Sequence, residues 1–179
     1  MFVNQLSNFL TDEEFNQILS YIDRITRDND FPGWKLTSVS DFSKNRRFWN
    51  FNLSKEKLFT EYFFNIFSKK IYEMFEEKIT LSRVYLNGMT YGQHGTIHPD
   101  EFYSEKRTLL IYCNETWKND WGGGTIFDYG ETTKIVMPKP KTAVYFDSTI
   151  FHGAQTVTPD FTDLRVSLAY KLGVETDDQ

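Results

Sequence analysis

Two spacings of apolar residues divide this chain. Up to about residue 78 apolar side chains recur every three or four positions. From about residue 80 they alternate, or come in short runs between Gly, Pro, Asn and Asp. Phe15, Ile18, Leu19, Ile22 and Ile25 predict an amphipathic helix running to about Arg27. Thr11-Asp-Glu-Glu14 marks its start as a capping box, with Leu10 and Phe15 at the staple positions. Asn29-Asp30 and Pro32-Gly33 break it. Residues 34–39 and 47–53 read as extended. Ser54 is placed to cap a second helix through about Lys78, whose apolar stripe includes Phe59, Phe63, Phe67, Ile71 and Phe75. Such aromatic stripes are core, so both helices are expected to pack against a sheet.

The second part predicts eight strands, at 81–86, 96–100, 107–113, 125–128, 134–137, 142–146, 152–157 and 165–172. Helices first and strands after make an α+β arrangement. About eight antiparallel strands suggest a jelly roll, a double-stranded β-helix with the N-terminal helices packed on its major sheet. One domain over 1–179 is expected, with helical support over 1–79, a core over 80–172 and a frayed polar tail at 175–179.

Composition narrows the classes. Aromatics reach 17% and predict a core rich in Phe and Tyr. The net charge of -5 disfavours a nucleic-acid binder that relies on a broad basic surface. With a single cysteine, Cys113, there is neither an intramolecular disulfide nor a thiolate zinc cluster, which fits a reducing, cytoplasmic compartment. The N-terminal Met-Phe-Val-Asn-Gln-Leu-Ser-Asn has no basic region and no long apolar run, so no signal peptide is expected, and no stretch is long and apolar enough for a membrane span. No obligate partner is evident.

Candidate chemistry lies in Tyr91-Gly-Gln-His-Gly-Thr-Ile-His-Pro-Asp100. On an extended segment His98 and Asp100 point to one face. An imidazole and a carboxylate converging there make two ligands of a first-row metal, and a second histidine completes a 2-His-1-carboxylate set that leaves positions open. His94, His98 and His152 are the histidines available. His152 follows a short apolar strand and precedes Gly153. By itself, His98-Pro-Asp100 reads better as a polar turn pair before a strand than as a metal site. Further on, Arg165, Ser167 and Ala169 share one strand face and Val166, Leu168 and Tyr170 the other. A guanidinium on an inward face suits an anion, because its planar fork matches a carboxylate.

His98-Pro-Asp100, His152 and Arg165-Val-Ser167, in that order, resemble the Fe(II)- and 2-oxoglutarate-dependent dioxygenases. Arg107-Thr-Leu-Leu-Ile-Tyr-Cys-Asn114, Trp117, Trp121-Gly-Gly-Gly-Thr125, Pro138 to Asp147 and His152-Gly-Ala-Gln-Thr-Val157 resemble the prolyl 4-hydroxylase branch, over about residues 80 to 172. The resemblance implies that His98, Asp100 and His152 bind Fe(II) as the catalytic centre. Arg165, supported by Ser167, would bind the distal carboxylate of 2-oxoglutarate. Tyr112 occupies the family's place for a tyrosine on the same carboxylate, and Tyr85 is a second candidate. O2 is a co-reactant and ascorbate a possible auxiliary. Trp117, Trp121 and Tyr91 are candidate substrate contacts, His94 reads as loop or active-site rim with a role behind the ligands open, and the charged loop 101–106 is either solvated surface or a lid. Arg165 departs from the lysine that many members of this branch use, which counts against a specifically collagen-type enzyme. Cys113 stands where leucine is more usual, and Pro140-Lys141 where a turn glycine is common. Gly122–Gly124 lack a following Lys-Ser or Lys-Thr and read as a turn, not a phosphate loop.

The expected activity is hydroxylation of an unactivated C–H bond, of a peptidyl proline or related side chain, with decarboxylation of 2-oxoglutarate to succinate and CO2. One rival is the same chemistry on a free amino acid, small metabolite or nucleobase. A rival of another class is a non-catalytic jelly-roll module that keeps its metal as a structural plug. Halogenation is disfavoured, since Asp100 holds the place a halide would need.

Overall fold

The structure, a computed structural model, describes residues 1–27, 33–38 and 47–175. The expected helix break at Asn29-Asp30 and Pro32, the end of the first extended segment at Val39, and the tail beyond Glu175 lie outside the described residues. In chain order the elements are β1 (Val3–Leu6), α1 (Asp12–Arg27), β2 (Lys35–Ser38), β3 (Arg47–Asn52), a π-helical turn (Leu58–Phe63) leading into α2 (Phe64–Phe75), β4 (Ile79–Met89), β5 (Lys106–Tyr112), β6 (Thr125–Asp128), β7 (Thr133–Val136), β8 (Ala143–Asp147), β9 (Phe151–Ala154) and β10 (Arg165–Val174).

The capping box forms as expected: the Thr11 N–H donates to Glu14 Oε2 (2.9 Å) and the Glu14 N–H to Thr11 Oγ1 (3.2 Å). Phe15, Ile18, Ile22 and Ile25 are buried along α1, joined by Tyr21. The second helix differs from expectation at both ends. Ser54 does not cap it; its N–H turns back to Asn52 Oδ1 (2.8 Å). The last turn closes at Glu76, in the left-handed region at φ 58°, whose N–H bonds the Tyr72 carbonyl, and the chain enters β4 at Ile79. Phe59, Phe63 and Phe67, one turn apart, stack with centroids 5.6 Å apart at each step and are buried.

The strands form a seven-stranded sheet, ordered β1-β8-β5-β10-β4-β3-β2, and a three-stranded sheet, β7-β6-β9, with every pairing antiparallel. This is the jelly-roll arrangement, with the two helices on the major sheet. Because strand side chains alternate, the large sheet buries two different faces. Val166, Leu168, Tyr170 and Leu172 of β10 face the helices in one core. Leu110, Tyr112, Val144, Phe146 and Ala169 meet Phe127, Val136 and Ile150 in the second core, between the sheets.

Two elements depart from the expected pattern. Residues 3–6 pair with β8 as an edge strand, although Val-Asn-Gln-Leu carries no alternating signal. Residues 96–100 make no strand, only an isolated bridge between His98 and His152. Pro99 has no N–H to extend a ladder there. No helix among the described residues is long and apolar enough to cross a membrane.

Candidate metal centre and its cavity

The approach of two backbones positions the candidate ligands. The His98 N–H donates to the His152 carbonyl (3.0 Å), the His152 N–H to the His98 carbonyl (2.9 Å) and the Gly95 N–H to the Ala154 carbonyl (2.8 Å). Glycines make this docking possible. A Cβ on Gly95 would lie 2.7 Å from the Ala154 nitrogen, and one on Gly153 would lie 2.9 Å from the Thr96 oxygen. Each imidazole is then oriented by its own backbone: His98 Nδ1 lies 2.6 Å from the Thr96 carbonyl and His152 Nδ1 2.9 Å from the Ile150 carbonyl. An Nδ1–H spent on a carbonyl leaves the Nε2 lone pair facing inward. The His152 ring also packs against Phe146 (4.8 Å) and Phe127 (5.9 Å).

Asp100 arrives from the same loop, tied down by its N–H to the Ser148 carbonyl (2.8 Å). Its Oδ1 lies 3.6 Å from His98 Nε2 and its Oδ2 3.3 Å from His152 Nε2. One donor atom from each of His98, Asp100 and His152 falls within 4.8 Å of the others, close enough to hold one metal ion. Two imidazole nitrogens and one carboxylate oxygen, gathered on one side of a cavity, fit a first-row divalent ion that keeps open positions.

Lys171, which sequence reasoning missed, stands behind Asp100. Its Nζ contacts Asp100 Oδ2 and lies 3.3 Å from Thr108 Oγ1, and Thr108 Oγ1 donates to the same Oδ2 at 2.7 Å. Burial pushes the Asp100 carboxyl up, but the Lys171 ammonium beside it leads the opposing effects, and the carboxyl lies well below the usual carboxylate range. Asp100 in turn raises His98 above its ordinary value, against the effect of burial. Period-2 reading of Arg165, Ser167 and Ala169 reaches Lys171 one step later, so the signal was present in the sequence.

The cavity, about 660 Å³, runs over the inward face of the large sheet. Register lays out its floor: Arg165 faces Met89, Ser167 lies between Asn87 and Tyr112, Ala169 between Tyr85 and Leu110, and Lys171 between Arg83 and Thr108. The metal cluster thus sits toward the Lys171 end and Arg165 at the other. Arg165 is 2% exposed. Its Nε donates to the Gly123 carbonyl (2.6 Å) and its Nη2 to Thr125 Oγ1 (3.4 Å). Burial lowers the Arg165 pKa, and no carboxylate pairs with this guanidinium among the described residues. Asp100 is the one acid on the described cavity wall, against Arg83, Arg165 and Lys171.

The other sequence candidates fall in different places. Ser167 and Tyr85 line the cavity. The Tyr85 ring lies 5.9 Å from both Lys171 Nζ and the Arg83 guanidinium, nearer the metal end than Arg165. Tyr112 is fully buried behind the wall, with its hydroxyl on Thr125 Oγ1 (2.9 Å) and 3.2 Å from the Val136 carbonyl. Trp117 and Trp121 do not line the cavity. They pack on each other and on Phe161, with centroids 4.7–5.6 Å apart, and Trp117 Nε1 donates to the Gly122 carbonyl (3.2 Å). Tyr91 is 62% exposed and also off the wall, as is His94, whose Nδ1 lies 3.2 Å from the Gly95 carbonyl. From loop 101–106, Phe102 reaches the rim. Thr125, Thr108 and Asn87 join the wall without having been singled out; a lone hydroxyl or amide on a strand carries no sequence signal of its own.

The model of the 2OG-Fe(II) oxygenase superfamily matches residues 83–170. These residues run from within β4 to within β10, with the whole His–Asp–His cluster and Arg165. The chain therefore carries a 2OG-Fe(II) oxygenase superfamily domain, an enzyme domain, and that family implies Fe(II) as its metal with 2-oxoglutarate and O2 as co-substrates. No curated protein matches. Among solved structures, a prolyl-4-hydroxylase from Pseudomonas putida is similar at 14% identity and TM-score 0.67, covering 97% of this chain and 93% of its own. A Trichoplax adhaerens prolyl hydroxylase, solved with a hypoxia-inducible-factor peptide fragment, aligns at 13% identity and TM-score 0.72, covering 96% and 83%. SnoK, an α-ketoglutarate-dependent carbocyclase of nogalamycin biosynthesis, aligns at 9% identity and TM-score 0.73, covering 96% and 79%. At these identities the likeness is one of fold.

Proposed function

We propose that this protein hydroxylates an unactivated C–H bond, of a peptidyl proline or a related side chain, with His98, Asp100 and His152 holding Fe(II) and Arg165 holding the distal carboxylate of 2-oxoglutarate. The observation that carries this reading is the buried, carboxylate-free Arg165 guanidinium across the cavity from the His–Asp–His cluster. A buried cation without a counter-ion is costly, and a dicarboxylate anchored at the metal would neutralise it. When bound, the iron and the keto acid supply the oxidising chemistry, consuming O2 and releasing succinate and CO2.

The chain's own work is placement and exclusion of water. Gly123 and Thr125 hold the Arg165 fork, Ser167 offers a hydroxyl beside it, and Tyr112 supports Thr125 from behind. Leu110, Ala169 and Phe146 give the space between Arg165 and the cluster apolar walls. Peptidyl substrates are supported by the extent of the cavity, which runs past the cluster to Asn50 and Asn52 on β3 and Thr37 on β2, beyond the reach of a five-carbon acid. The prolyl hydroxylases among the similar structures point the same way.

The test is succinate release with and without added Fe(II), against proline-containing peptides, free amino acids and nucleotides, with product mass read for a gain of one oxygen. A peptide product supports the reading. Hydroxylation of a free metabolite alone moves the protein to the small-molecule branch, and metal binding with no succinate makes the module non-catalytic.

A further inference from the structure

We propose that Lys171 is a positioning residue: with Thr108 it occupies Oδ2 of Asp100, so that the carboxylate offers the metal Oδ1 alone and leaves room for a chelating keto acid and O2 together. This rests on the reading of His98, Asp100 and His152 as metal ligands. Lys171 is 5% exposed on a strand whose other face is apolar. An ammonium held there carries a desolvation cost, and an apolar side chain of similar volume would fill the space without it. Its carboxylate contact is to a single atom, with Thr108 Oγ1 3.3 Å away. Oδ2 receives both the Lys171 ammonium and the Thr108 hydroxyl, and Thr108 is itself steadied by Ser148 Oγ at 3.0 Å.

Two donors on one carboxylate oxygen use the lone pairs on the side facing the sheet. His152 Nε2 lies 3.3 Å from Oδ2, while its Nδ1 faces the Ile150 carbonyl at 2.9 Å. Oδ1 has no donor within hydrogen-bond range among the described residues; His98 Nε2 is 3.6 Å away. Two imidazoles and one oxygen leave three positions on an octahedral ion. A carboxylate binding through both oxygens would leave two, which a keto acid chelating through two atoms would fill, with none left for O2. The Lys171 charge also favours a dianionic ligand over an empty site.

The test separates two affinities on the folded protein. Mn(II) binding is measured by competition with a chelator, and 2-oxoglutarate binding to the Mn(II)-loaded protein by calorimetry. Lys171→Met is expected to hold Mn(II) at least as tightly as wild type, because a repelling charge is gone and a second carboxylate oxygen is free. Its 2-oxoglutarate affinity should fall at least about tenfold, the size of one lost charge-assisted interaction. Lys171→Arg restores the charge and the donor, and should recover most of that loss. Should Lys171→Met not fold, Thr108→Val removes the other Oδ2 donor and should give the same split at smaller size. Unchanged 2-oxoglutarate affinity overturns the proposal, as does a parallel loss of both affinities, which a merely structural role would produce. If wild type binds no Mn(II), or His98→Ala binds it as well as wild type, the ligand reading itself falls and takes this role with it.

Discussion

Arg165 Nε donates to the Gly123 carbonyl at 2.6 Å, and this bond ties β10 of the large sheet to the turn that starts β6 of the small one. Nε is thereby committed to the protein and one Nη2–H to Thr125, which leaves Nη1 and the second Nη2–H to a ligand. Replacing Arg165 by Ala should leave metal binding intact and raise the 2-oxoglutarate requirement. Truncating one member of a buried charge pair costs roughly 2–5 kcal/mol, about thirtyfold or more in affinity. Titrating succinate release against 2-oxoglutarate checks it, and an unchanged requirement removes Arg165 from its assigned role.

The same turn explains what the tryptophans do. A Cβ on Gly123, at φ 68°, would lie 2.8 Å from Trp117 Cζ2 and 3.1 Å from Arg165 Cδ, so Trp117 backs the turn that holds Arg165. Trp117→Ala should therefore act on stability. Trp→Ala in a full core costs 3–5 kcal/mol; for the half-buried Trp117 roughly 2–4 kcal/mol is expected, with a secondary loss of 2-oxoglutarate affinity. Urea unfolding measures the first and calorimetry the second. A variant of native stability with a raised requirement for the primary substrate alone would return Trp117 to the substrate side.

Docking of the His98 loop on β9 leaves no room for a side chain at residue 153. Gly153→Val should push Thr96 away, break the paired His98–His152 backbone bonds and separate the imidazoles. Metal affinity is expected to fall about a hundredfold or more, as when one of a small set of ligands is misplaced. The two cores contain none of these atoms, so the far-ultraviolet spectrum should stay native. Native metal affinity in this variant would show that the loop docks in some other way.

How far the sequence carried depended on how local each signal was. α1 and its capping box were legible because periodicity and cap lie within a few residues of each other. The two faces of β10 were legible because Val166, Leu168 and Tyr170 alternate strictly with Arg165, Ser167 and Ala169. The strand β1 was not, since Val3 to Leu6 gain their pairing only from β8, some 140 residues on. The His98 segment looked like a strand by composition but meets just one partner position, because Pro99 interrupts the ladder. Lys171 was passed over for a related reason. A lysine near a strand end reads as solvent-facing, and only the loop carrying Asp100, brought from a distant part of the chain, turns it into a buried cation.

Cys113 gives an independent measure of the core. Burial raises its thiol to about 12, while in the unfolded chain it titrates near its ordinary value of 9.0. The sign follows from the protonated form being the one the fold keeps. Below about pH 9 both states hold the proton and stability is unaffected. Above it the unfolded chain loses the proton first, and stability falls by up to about 1.4 kcal/mol for each further pH unit until the folded value is reached. Two outcomes are expected. A disulfide reagent at pH 8 should react with the native protein no faster than global unfolding exposes the thiol, and urea should accelerate it in step with the unfolded fraction. Cys113→Ala should cost some stability at pH 7 but soften the decline between pH 9 and 10, when wild type and variant are compared by urea midpoint. Fast labelling of the native protein, or parallel declines in the two proteins, would mean that the side of the large sheet against the helices opens locally around Cys113.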